Sequence, residues 1–117
     1  VQGSWDYASR TFATPPSLPT AVINLEFLGA AKEFGTFKGE RFASGSYPPS
    51  PRLLAVFDAV HREQVGTPLY VTWYSAATDA RSFLAHGVPA MTLISVLPDR
   101  SLPRHMHSAA DERSRLV

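Results

Sequence analysis

Val88-Pro89-Ala90-Met91-Thr92-Leu93-Ile94-Ser95-Val96 is a nearly continuous apolar run, and no other segment constrains the fold as much. A strand without polar alternation has neither face in water, the pattern of a parallel sheet covered by helices on both sides. Ahead of it, Thr78 reads as the cap of a helix that closes at His86-Gly87, where glycine suits the left-handed turn after a helix end. Upstream, Thr20 to Leu28 is β-branched and apolar between a proline-rich stretch and Gly29, and reads as a buried strand. Ser50-Pro51 reads as a cap with a first-turn proline, and Leu53, Leu54, Phe57, Val60 and His61 follow at helical spacing to about Val65. Gly66-Thr67-Pro68 stops that helix, and Leu69 to Trp73 reads as another strand. Residues 29–50 have no sustained period and hold Gly29, Gly35, Gly39, Gly45, Pro48 and Pro49, which predicts a long surface loop. The order β-α-β-α-β with right-handed crossovers makes an α/β fold, part of a mostly parallel sheet with helices on both faces.

Composition narrows the function classes. No run approaches the roughly 20 apolar residues of a membrane span. A net charge of +1 without a basic stripe argues against nucleic acid as a partner. With no cysteine in the chain, any metal must be held by His, Asp and Glu. Val1 to Pro19 lacks the charged-then-apolar layout of a signal peptide.

In open α/β sheets the site lies beyond the carboxyl ends of the strands. Glu26 stands near the end of the first strand, sharing a face with Asn24 while Ile23, Leu25 and Phe27 share the other. His107 follows the last strand in a polar loop. A carboxylate and an imidazole are donors that suit zinc. His105 competes with His107, since His105-Met106-His107 in extended form presents both rings on one side. Asp111 is placed to orient or cap near His107, and Asp79 either caps the helix or hydrogen-bonds a ligand or substrate. Trp73 and Tyr74 either line a pocket for an apolar side chain or pack in the core. Phe34, Phe37 and Phe42 are candidates for a pocket rim or a partner surface, whereas His61 and His86 fall on helix positions that suit packing or an interaction with the helix C-terminal dipole.

Three segments carry a family resemblance. Val22-Ile23-Asn24-Leu25-Glu26-Phe27-Leu28-Gly29 resembles a V-I-N-L-D-M-I-G strand, Thr78 to Ala90 resembles S/T-D-H/A-x-x-F-x-x-x-G-I/V-P-A, and His107 to Asp111 resembles H-T-x-x-D with serine for threonine. Together, and in this order, they resemble the co-catalytic zinc aminopeptidase family, which includes leucyl aminopeptidases, glutamate carboxypeptidase, glutaminyl cyclase and nicastrin. The resemblance implies a zinc exopeptidase acting on peptide substrates, with Glu26 and His107 as ligands of different ions in a two-zinc pair, and it selects His107 over His105.

The departures are equally specific. The family's H-x-D and G-E-E segments have no counterpart here, and Gln2-Gly3-Ser4-Trp5-Asp6-Tyr7 resembles the Q-G-E-x-F-D-Y of nicastrin-like members without its glutamate. Met106 stands where tyrosine is common, and a thioether donates no hydrogen bond. Residues 1–117 are therefore expected to be the carboxyl-terminal portion of a single zinc-peptidase domain. That portion would be inactive alone and would depend on a missing amino-terminal half or a companion chain. Two alternatives accompany this expectation: a nicastrin-like interaction module, and a glutaminyl cyclase-like acyltransferase suggested by Leu28-Gly29-Ala30.

Overall fold

In a computed structural model of the chain, residues 2–29 and 31–102 are described. The elements in order are α1 (Gln2–Thr11), β1 (Val22–Glu26), β2 (Glu33–Thr36), β3 (Glu40–Phe42), β4 (Gly45–Tyr47), α2 (Pro51–Gln64), β5 (Tyr70–Val71), α3 (Ala80–Ala85) and β6 (Ala90–Val96). The apolar run that predicted a doubly covered strand is β6, and both alternating sets of its side chains are buried apart from the half-buried Leu93. It lies inside a four-stranded sheet of order β1-β6-β2-β5. β1 runs parallel to β6, which sets Asn24 beside Thr92 and Glu26 beside Ile94. β2 runs antiparallel to β6 and parallel to β5, so the α/β sheet is mixed.

The predicted loop over residues 29–50 is corrected by three strands inside it. β3 and β4 pair as a small hairpin, while β2 inserts between β6 and β5. Strands of three or four residues are too short for alternation to register, and β2 is held by partners far along the chain. Gly35 makes that insertion possible, because a Cβ there would lie 2.7 Å from Val96 Cγ2 and 2.8 Å from the Tyr70 carbonyl oxygen. The apolar centre of the sheet is Phe37, Ile94 and Val96, with Phe27, Tyr70, Tyr74 and Leu102 packed around it.

The helix predicted from Pro51 is α2, and Gly66 beyond it takes the left-handed φ of 88°. His61 is buried and held at both nitrogens: Nδ1 donates to the Thr67 carbonyl at 2.7 Å and Nε2 accepts the Phe34 N–H at 3.1 Å. It ties α2 to β2, as the packing reading of this histidine expects. α1 has an apolar stripe at helical spacing, Trp5 and Ala8 with Phe12 just beyond its end, but Gly3, Ser4 and Thr11 are weak helix formers. Tertiary contact stabilises it: Tyr7 and Phe12 meet Phe83 at ring separations of 6.2 and 6.0 Å, and Trp5 meets His86 at 5.2 Å.

Candidate functional site

β1 ends at Glu26, and the next residue turns the chain sharply. Phe27 adopts a φ of 53°, which an L side chain takes at a cost of about 1–3 kcal/mol. The apolar centre holds its ring and so offsets that strain. Glu26 is thereby left half-buried at the carboxyl end of a parallel strand. Asn24, two residues back on the same face, donates from Nδ2 to Glu26 Oε1 at 2.9 Å and to Thr92 Oγ1 at 3.3 Å. Among the described residues, no hydrogen bond involves Glu26 Oε2.

Behind Asn24 lies a polar cluster inside the fold. Glu40, at the start of β3 and only 3% exposed, accepts the Thr78 N–H at 2.9 Å on Oε2. Its Oε1 accepts the hydroxyls of Thr78 at 2.8 Å and Thr92 at 3.0 Å. The two hydroxyls lie 2.7 Å apart, so three oxygens share three short edges. Each hydroxyl has one proton, so when both donate to Glu40 Oε1 the Thr78–Thr92 edge is a contact without a proton of its own. Burial raises the Glu40 carboxyl above its ordinary value, the bonds from Thr78 and Thr92 oppose that shift, and the charge of Glu26 adds to it. Thr78 Oγ1 also accepts the Ala80 N–H at 3.2 Å, so the capping threonine of α3 belongs to the same network.

Neither Glu40 nor Thr92 is among the residues singled out from sequence. Glu40 sits in a glycine-rich stretch without period. The usable signal was Thr92, since a hydroxyl inside a covered strand tends to find a buried partner, although Ser95 Oγ in the same strand has none among the described residues.

Asp79 makes no capping bond with its side chain. Instead it accepts the Ser4 hydroxyl at 2.7 Å, and Ser4 lies 3.1 Å from the Ser82 hydroxyl, which clamps α1 onto α3. The Ser4 hydrogen bond holds the Asp79 carboxyl below its ordinary value. Trp73 stands 81% exposed, with its ring 5.1 Å from that of Tyr74. Tyr74 packs on Phe37 at 5.9 Å. Burial raises its phenol above the ordinary value. His107 and Asp111, with His105, lie outside the described residues.

An α/β sheet that leaves a carboxylate open beyond a parallel strand belongs to the domains that build their sites at strand ends. The family model for Peptidase family M28 matches residues 1–117, and the chain belongs to that family. Neither the curated proteins nor the solved structures yield a match. Peptidase activity and zinc dependence are properties of the family.

The donor chemistry tests how far these residues fit zinc. Among the described residues, no group of three or more His, Cys, Asp or Glu side chains could hold a metal ion. Glu26 offers one carboxylate oxygen, steadied by Asn24 through the other. A catalytic zinc takes three protein ligands, so the described residues form one corner of such a site and not the whole.

Proposed function

We propose that this chain contributes Glu26 and His107 to the zinc site of a peptidase that removes residues from the amino terminus of peptides. The observation that carries the reading is the Glu26 carboxylate, presented at the end of a parallel strand with one oxygen clasped by Asn24 and the other without a hydrogen bond among the described residues. The motif resemblance at His107 supplies the second ligand. When bound, zinc would polarise a peptide carbonyl and generate a hydroxide nucleophile. The residues on this chain would hold and orient that centre. Glu26 and His107 would serve different ions of the pair, one ligand each where a catalytic zinc needs three, so the chain by itself is inactive in this reading and acts together with H-x-D and G-E-E segments. Those segments would come from an amino-terminal half or a companion chain. β1 lies at the edge of the sheet, and its exposed Leu25 suits such a companion.

A specific observation favours a second reading. Ser4 occupies the place where the resemblance puts a glutamate, and its hydroxyl is engaged with Asp79 and Ser82 in joining two helices. That is the behaviour of a nicastrin-like module which keeps the fold for interaction. The test is hydrolysis of aminoacyl anilides and their N-acetylated counterparts by the protein purified with any companion retained. The zinc aminopeptidase reading expects chelator-sensitive cleavage of the free-amine substrates alone, lost in Glu26→Ala and His107→Ala. Zinc-free material without turnover would overturn it in favour of the interaction module.

A further inference from the structure

We infer that Glu40 is a positioning residue for Glu26, acting through Thr92 and the side-chain amide of Asn24. The inference rests on the proposed role of Glu26, but its core concerns an arrangement that exists without any metal. An asparagine amide can present either its oxygen or its nitrogen in one place, and the surrounding donors and acceptors decide which. Beside Glu26 the choice matters: the NH2 group attracts the carboxylate, whereas the amide oxygen would repel it.

Thr92 settles that choice, and Glu40 settles Thr92. The Thr92 hydroxyl gives its single proton to Glu40 Oε1 at 3.0 Å, so the side facing Asn24 offers only a lone pair. Asn24 must then turn its nitrogen toward Thr92 at 3.3 Å, and the same NH2 group reaches Glu26 Oε1 at 2.9 Å. Without the carboxylate, the Thr92 proton is free to point at the Asn24 amide oxygen, and the amide can flip. Thr78 supports the arrangement from the other side, giving its N–H and its hydroxyl to the two oxygens of Glu40 and so holding that carboxylate in one rotamer. The relay crosses three segments distant in sequence: β1 carries Asn24 and Glu26, β3 carries Glu40, and β6 carries Thr92. Glu40 touches neither a substrate nor a metal in this scheme. Its effect is to keep Oε1 of Glu26 occupied and so fix how Oε2 faces outward.

The test uses the full chain and the substitutions Glu40→Gln, Thr92→Val and Thr92→Ser. The first readout is the nuclear magnetic resonance of the Asn24 side-chain amide, its proton shifts and exchange with solvent. The second is zinc affinity by calorimetry, with the metal alone as the probe and any companion chain retained. Circular dichroism confirms that each variant is folded. The expected result is that Glu40→Gln and Thr92→Val shift the Asn24 amide signals and speed their exchange, while Thr92→Ser, which keeps the hydroxyl, retains the wild-type signals. Zinc affinity should fall roughly 10- to 100-fold in the first two variants and stay near wild type in the third, the scale for losing a group that supports a metal ligand. Asn24 signals that stay unchanged in folded Glu40→Gln and Thr92→Val would overturn the inference and leave Glu40 a structural residue only. If Glu40→Gln fails to fold, the contrast between Thr92→Val and Thr92→Ser decides the same question. Protein purified with its companion retained that binds no zinc, yet shows the amide changes, would uphold the positioning role and count against the zinc reading instead.

Discussion

Replacing Thr92 by valine exchanges a hydroxyl for a methyl group with almost no change of shape, at a side chain that is 1% exposed. Three interactions go with the hydroxyl: the bond donated to Glu40 at 3.0 Å, the contact with Thr78 at 2.7 Å and the long bond accepted from Asn24 at 3.3 Å. Glu40 keeps both bonds from Thr78, so its carboxyl is not left without partners. One bond to a charged acceptor contributes about 1.5–3 kcal/mol, and the neutral contacts add on the order of 1 kcal/mol. Burying the new methyl group returns about 0.8 kcal/mol. The net loss should be roughly 2–3 kcal/mol. Urea unfolding followed by circular dichroism measures it as a lower midpoint at unchanged slope. Thr92→Ser supplies the comparison, because it keeps the hydroxyl and loses a buried methyl at about 1 kcal/mol. Valine should therefore be worse than serine. The reverse order, or a valine variant within about 0.5 kcal/mol of wild type, would refute the hydrogen-bond network on which the site description depends.

Three further perturbations have defined outcomes. Glu40 titrates above its ordinary value in the folded protein, so the unfolded chain releases its proton first as pH rises; wild-type stability measured against Glu40→Gln should fall between the ordinary carboxylate range and the raised folded value, then level off. Asp79 has the opposite sign: its contribution is present above the ordinary aspartate value and is lost as pH falls through the lower folded value, so Ser4→Ala should cost roughly 1 kcal/mol at neutral pH and less in acid, by urea titration at each pH. Gly35→Ala should cost about 1–3 kcal/mol by thermal unfolding, since its Cβ would meet the Tyr70 carbonyl oxygen at 2.8 Å in the middle of the β2–β5 pairing.

What the sequence made legible follows the reach of each signal. The apolar run of β6, the proline-started α2 and the Thr78 to Gly87 helix unit are local patterns, and each appears near its predicted place. β2 depends on distant partners, Ile94 and Tyr70, so no window of neighbouring residues announces it, while the short stripe of α1 is diluted by weak helix formers and completed by Phe83. The site divides in the same way. Glu26 was visible because a polar residue at the end of an apolar strand stands out and a motif surrounds it. Glu40 was invisible because its meaning comes from Thr78 and Thr92, which lie 38 and 52 residues farther along the chain. Asp79 was legible as an acid at a helix start, while its actual partner, Ser4, is 75 residues away.

The most direct measurement of the proposed role is anomalous diffraction at the zinc edge from crystals of the protein with any companion chain, grown with zinc. Zinc bonded to the Glu26 carboxylate and to the His107 imidazole, each at about 2.0–2.2 Å, is the expected result. Zinc bound at other side chains, or no zinc beside Glu26 in crystals of an active peptidase, would contradict the assignment of this chain's ligands.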